Sequence, residues 1–275
     1  MSNQNPRNME LIRKAGNMGK FYPSNPKEIE MMIKAWNDIL AKNIEDIEVL
    51  KLKPRGIVSP HAGYVYSGFT ANFAHRLLPN AQPKRIIVIG PSHHIFIRGI
   101  SAGYFDGYQT PFGILKGDKE YLKELSQYFN FSFEEDAHYL EHSTETQFPF
   151  IKYYNSEVKI IEIIYGITDY LEVADLIEYI LRDKQNLVVI STDLSHFYRQ
   201  EVANELDNNC VVGFAYKNLE IVQEKCEACG KIGLEALIKV AKDLYLDAKV
   251  LDYRTSGDIT GDKKSVVGYM SGVVF

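Results

Sequence analysis

The sequence is poor in sulfur and tryptophan and has no long apolar run. Three of its 275 residues are cysteine and one is tryptophan. The odd, sparse set of Cys210, Cys226 and Cys229 does not look like a secreted disulfide scaffold in a chain of this length. No window approaches ~18 consecutive apolar residues, so no membrane-spanning helix is expected. The polar start, Met1–Asn8, lacks the apolar stretch of a signal peptide. These absences point to the cytoplasm and away from a membrane partner. Basic charge is not in excess either. Lys and Arg number 31 against 36 Asp and Glu, a formal net charge of −5 at pH 7, which argues against a nucleic-acid backbone as partner. Without a Gly/Ser/Pro-rich linker, a low-complexity tract or an internal repeat, the expectation is one α/β domain over residues 1–275. Residues 1–25 would form an irregular arm packed on it. P-loop, G-x-G-x-x-G and G-x-S-x-G signatures are missing as well.

What is present is an ordinary globular composition, 45% apolar and 24% charged. Short apolar runs alternate with helical patterns, which implies a largely parallel sheet. Pro26 and Glu28 follow a capping Ser24 or Asn25. Ile29, Met32, Ile33, Trp36 and Leu40 then repeat at helical spacing. Arg55–Ser59 reads as a buried strand, followed by Pro60 and His61, with a helix over 68–78. Ile86–Ile89 is a second buried strand, stopped by Gly90 and Pro91 just before His93 and His94. Residues 108–113 read as a turn, 119–129 as a helix. Val158–Tyr165 is a strand and Tyr170–Leu181 a helix. Leu187–Ile190 is a third buried strand of this layout, ending in Ser191-Thr192-Asp193 with His196 close behind. Residues 198–217 read as a helix in which Cys210 is a core thiol. Val250–Tyr253 and Val266–Phe275 close the sheet around a polar loop, 254–265.

Three strand exits therefore carry His61, His93-His94 and Asp193/His196 to the edge where open α/β sheets bind ligands. Cys229 falls at a helix start, where the dipole is expected to lower a thiol's pKa. Two imidazoles and a thiolate form a borderline-soft donor set that suits iron, copper or zinc better than magnesium or calcium. Asp193 or His196 could orient a ligand, serve as acid/base or coordinate directly. Two shorter patterns carry less. Cys226-x-x-Cys229 lacks a second pair for structural zinc and a preceding strand for a thioredoxin-like couple. His138-x-x-Glu141-His142 matches a zinc-peptidase pattern. However, Thr144 and Gln147 read as a capping box, which leaves both histidines in a loop over the pocket. That loop offers Glu141 and His142. His75 sits on a helix, away from any strand end.

Pro60-His61-Ala62-Gly63-Tyr64, Gly90-Pro91-Ser92-His93-His94, Glu141-His142-Ser143, Ser191-Thr192-Asp193 with His196, Cys229-Gly230 and Ser265-Val266-Val267-Gly268-Tyr269 occur in one order. Taken together they resemble the Memo family, whose prokaryotic members are called AmmeMemoRadiSam system protein B. The resemblance implies a three-layer α/β/α sandwich with a parallel or mixed central sheet, similar to the class III extradiol (LigB-type) non-haem iron dioxygenases. It implies His61, His93 and Cys229 as metal ligands, with Asp193 and His196 at the pocket. Tyr64, His94, Glu141 and His142 complete the pocket, His94 by packing or by holding its loop. The third ligand is Cys where those dioxygenases have a carboxylate. An iron- or copper-dependent redox activity on a small molecule is the function the resemblance implies. The alternatives are a peptide- or phosphopeptide-binding module and a zinc hydrolase. Radical-SAM and AMMECR-type proteins are the partners it suggests.

Overall fold

In the computed structural model, residues 10–275 are described; the reading of Met1–Asn8 lies outside them. Four apolar runs make the centre of the sheet. Lys159–Tyr165, Arg85–Pro91, Asn186–Ser191 and Gly56–Ser59 lie side by side in that order, all parallel. Successive side chains alternate between faces. Ile57, Ile86, Val88, Leu187 and Val189 share one cluster with Ala74, Leu77 and Phe148. Val58, Ile87, Ile89, Val188 and Ile190 share the other with Leu176, Ile177, Phe214 and Leu237. Each buried aliphatic side chain contributes about 1.5–3 kcal/mol, and both faces are covered, so the interiors of these runs are apolar except for the buried Glu162.

Helices Tyr64–His75 and Phe148–Tyr154 contribute to the first layer, and Tyr170–Leu181, Gln200–Ala215 and Lys231–Asp243 to the second. Among the described residues the sheet has twelve strands and is mixed. Val266–Val274 runs antiparallel to Gly56–Ser59, and Ala248–Thr255 antiparallel to Val266–Val274. The result is the three-layer α/β/α arrangement with a mixed central sheet. No helix is long and apolar enough to cross a membrane among the described residues.

Several local readings are corrected. Residues 108–113 are not a simple turn. Gly107–Thr110 and Gly113–Gly117 pair antiparallel around Pro111-Phe112, and Thr110 Oγ1 accepts from the Phe112 N–H. The helix read at 68–78 spans Tyr64–His75. Gly68 does not start it. It makes room for Trp36, whose Cη2 would lie 2.3 Å from a Cβ there. The helix read over 119–129 stops at Leu125. The loop 254–265 contains a short helix, Ser256–Thr260, opened by a capping box between Thr255 and Asp258. Residues 10–25 are not wholly irregular, because Ile12–Arg13 adds a strand beside Gly107–Thr110. Cys210 is not a free thiol; it is joined to Cys226.

Candidate metal centre

The parallel register determines what leaves the sheet together. Ser59 lies opposite Ser191, and the Thr192 N–H donates to the Ser59 carbonyl at 3.0 Å. Pro60-His61 and Thr192-Asp193 thus depart side by side, and the His61 N–H donates to Asp193 Oδ1 at 2.7 Å. One strand over, the Ser92 N–H donates to the Tyr165 carbonyl and aims His93 at the same edge. Cys229 arrives from the second helical layer. Its N–H donates to the Asp193 carbonyl at 3.2 Å, and the next N–H, of Gly230, to Thr192 Oγ1 at 2.8 Å. A Cβ on Gly230 would stand 2.5 Å from Thr192 Cβ and 2.6 Å from the Ser191 carbonyl oxygen. Only glycine lets the chain approach this closely.

Hydrogen-bond accounting fixes both imidazoles. The Ser191 hydroxyl donates its single proton to the Ser143 carbonyl at 2.6 Å. It also accepts from Gln147 Nε2 at 2.9 Å. Toward His61 Nδ1, also 2.9 Å away, it can only accept, so His61 carries its proton on Nδ1 and a lone pair on Nε2. Glu141 does the same for His93. One of its oxygens takes the His93 N–H at 2.6 Å and the other takes Nδ1 at 2.8 Å. Burial alone raises the pKa of Glu141. The bonds from His93 outweigh it and hold the carboxyl down to about 2. The carboxylate is therefore acceptor-only, so His93 carries a proton on Nδ1, and its neutral form presents the lone pair on Nε2. His61 Nε2 lies 3.3 Å from Cys229 Sγ. One donor atom each from His61, His93 and Cys229 lies within 4.8 Å of the others.

The surroundings favour the neutral form of His61 and of His142. Burial, then the neighbouring His93, push His61 down to about 3. Burial, then His61, push His142 down to about 4. The thiol runs against expectation. Burial, then the Asp193 carboxylate, push Cys229 up to about 12, and the helix that would lower it begins only at Lys231. A cation among these donors acts in the opposite sense and favours the thiolate. Asp193 is itself raised by burial, against the opposing His61 N–H.

A cavity of about 540 Å³ adjoins the cluster, lined among others by Phe21, Tyr66, His142, Asp193, His196 and Tyr269. His142 also lies against His93, ring centroids 4.6 Å apart, and stacks on Phe21 at the same separation. His94 is exposed, its Nε2 3.1 Å from His142 Nδ1. Tyr64 turns away from the cavity. It is buried, stacks on Phe150 and donates its hydroxyl to the Thr146 carbonyl at 2.7 Å. His138 is not in a loop and not in the cluster. It sits in the helix Glu135–Leu140, with Nδ1 on Glu162 and Nε2 on Ser101, so the two histidines of the peptidase pattern do not converge. The capping box at Thr144 is replaced by Glu141, which caps Ser143. His75 is buried against Gln147, and with Cys226 bound to Cys210, Cys229 has no dithiol partner. Phe21 and the positioning role of Ser191 were missed. Phe21 lies in a stretch without periodicity, whereas Ser191, at the end of a buried strand beside His61, could have been found.

A mixed α/β sandwich with two oriented imidazoles and a thiol at the carboxyl edge of its parallel strands defines a class of protein with a candidate His/His/Cys metal centre. Within that class the chain belongs to the Memo family, whose model, described as Memo-like protein, matches residues 13–273. A MEMO1 family protein of Aquifex aeolicus is 32% identical over 274 residues, covering 96% of this chain and 99% of that protein. One of Methanocaldococcus jannaschii is 33% identical over 288 residues, covering 97% and 100%. One of Methanobrevibacter smithii is also 33% identical over 288 residues, covering 96% and 99%.

Proposed function

We propose that His61, His93 and Cys229 hold one iron or copper ion and that the protein carries out a redox reaction on a small molecule in the adjoining cavity. The observation that carries this reading is the convergence of three donor atoms within 4.8 Å, with both imidazole lone pairs freed by dedicated partners. A structural histidine pair has no need of two such orienting groups, whereas metal-binding histidines regularly have them. The borderline-soft N₂S set fits iron and copper, and it also fits zinc. When bound, the ion supplies electron transfer and an open position for a small molecule.

The chain's own residues do the rest. Ser191 and Glu141 keep the ligand imidazoles oriented. Asp193, with Oδ2 4.0 Å from His61 Nε2, and His196, on the cavity wall, take and return protons. His142 lies against one side of the His93 ring and is itself stacked on by Phe21.

The test is elemental analysis of anaerobically purified protein, wild type beside Cys229→Ala and His61→Ala, with circular dichroism to verify folding. Near-stoichiometric iron or copper in the wild type, lost in both folded variants, is expected. Full occupancy in Cys229→Ala overturns the ligand set. Zinc alone in the wild type overturns the redox reading.

A further inference from the structure

We infer that the cavity beside the metal centre selects a small organic ammonium compound with an aromatic or apolar body and rejects anions. The inference rests on the proposed metal site, because the cavity opens beside it, and it adds the substrate class.

The first observation is the fate of the strand-exit amides. Such N–H groups are the usual anion donors at the edge of a parallel sheet. Here each is already engaged. The His61 N–H is taken by Asp193 Oδ1, and the His93 N–H by Glu141 Oε2. The Asp193 N–H points at Cys229 Sγ, the Cys229 N–H at the Asp193 carbonyl, and the Gly230 N–H at Thr192 Oγ1. An incoming phosphate or carboxylate would have to displace a carboxylate from the His61 and His93 N–H groups and a sulfur, carbonyl or hydroxyl from the others.

The second observation is the cavity wall. It carries Asp193 and Asp262 but neither Lys nor Arg among the described residues. Lys263 and Lys264 come next in the chain, yet they are exposed and do not line it. Apart from the imidazoles of His142 and His196, an anion therefore finds no charge-assisted donor on this wall of the kind that gives tight phosphate or carboxylate binding. Phe21, Tyr66 and Tyr269 offer aromatic surface instead, and aromatic faces attract cations. Carboxylates and aromatic rings around one cavity are the reverse of a phosphopeptide site.

Three probes of one shape test this: 2-phenylethylammonium, 2-phenylethanol and phenylacetate, titrated by calorimetry into purified protein with and without chelator. Phenyl phosphate serves as the phosphopeptide surrogate. The ammonium is expected to bind tightest and the two anions about tenfold or more weaker, in both samples. Asp262→Lys, an exposed substitution, is expected to narrow or reverse that order. Equal affinities, a preference for either anion in the chelated sample, or no binding by the ammonium overturns the inference. Metal content measured on the same preparations separates the two readings. A normal metal load with the wrong preference defeats only the substrate class. The predicted preference in protein purified without iron or copper defeats only the metal assignment.

Discussion

The Arg13–Glu145–Glu162 cluster and the His61–His93–Cys229 cluster meet at residues 141–145, yet they treat their polar atoms in opposite ways. In the first, Arg13 is 1% exposed and both glutamates are fully buried. Its guanidinium reaches Glu145 at 2.7 Å and the Glu141 carbonyl at 2.8 Å, and Nε lies 3.0 Å from Glu162. Glu145 also accepts from the N–H groups of Gly16 and Asn17 and from the Tyr22 hydroxyl; Glu162 accepts from His138 and Thr144. Nothing is directed outward. In the second cluster, carboxylate and hydroxyl partners consume one nitrogen of each imidazole and leave the other unspent. A network that serves the fold closes on itself. One built to bind leaves acceptors converging on a shared point. The first should carry the larger share of stability at neutral pH, and only the second should govern metal binding.

The largest test removes the closure. Arg13→Met is expected to destabilise by about 3–5 kcal/mol, because two buried carboxylates lose their cation. A shift in urea midpoint equivalent to under about 1 kcal/mol would break the contrast, since the network would then not be holding the arm.

Acid comes next. His75 is pushed by burial down to about 4, below its ordinary value of 6.5, so protons bind the unfolded chain more readily. Stability is therefore full above pH 6.5 and falls as the pH drops toward 4, by on the order of 3 kcal/mol from this residue. His61 and His142 act in the same direction. Glu141 adds a later loss between its ordinary value of 4.5 and about 2. Urea midpoints across this range should fall in that order, and the slope from pH 6.5 to 4 should be shallower in His75→Gln. An unchanged slope would remove His75 from the account.

The clearest effect on metal should come from the group that orients a ligand. Glu141→Gln keeps an acceptor oxygen but loses the charge that orients His93. It is expected to lower metal affinity about 10- to 100-fold while the fold survives. His94→Ala, at an exposed position, should leave metal content unchanged and stability within about 0.5 kcal/mol. If both variants lose metal equally, the separation between orienting and peripheral residues fails.

The sheet centre was legible because four runs buried on both faces are apolar in their interiors, Glu162 apart, and stop at Pro, Gly or a polar residue. The strand-exit residues were legible for the same reason. A stop at the carboxyl end of a buried parallel strand is a position with few structural duties. The hairpin at 107–117 was hidden because Pro111 and Gly113 punctuate it as they would a loop. The Cys210–Cys226 link was hidden because spacing does not define pairing, and His138 because five residues cannot say where a helix breaks. Arg13 was the least legible. A lone arginine in an aperiodic stretch reads as surface, and its partners lie more than a hundred residues downstream.

That separation also sets an order of events. Arg13 and Glu145 are 132 positions apart. At roughly 5–20 residues per second, a ribosome takes on the order of 10 s to supply the partner after the arginine emerges. Until then the arm has no counter-charge to dock on, and Phe21 has no His142 to cover. Residues 10–25 are therefore among the last parts to reach their place. A nascent protein halted before residue 145 should leave residues 10–25 open to a protease that the finished protein resists.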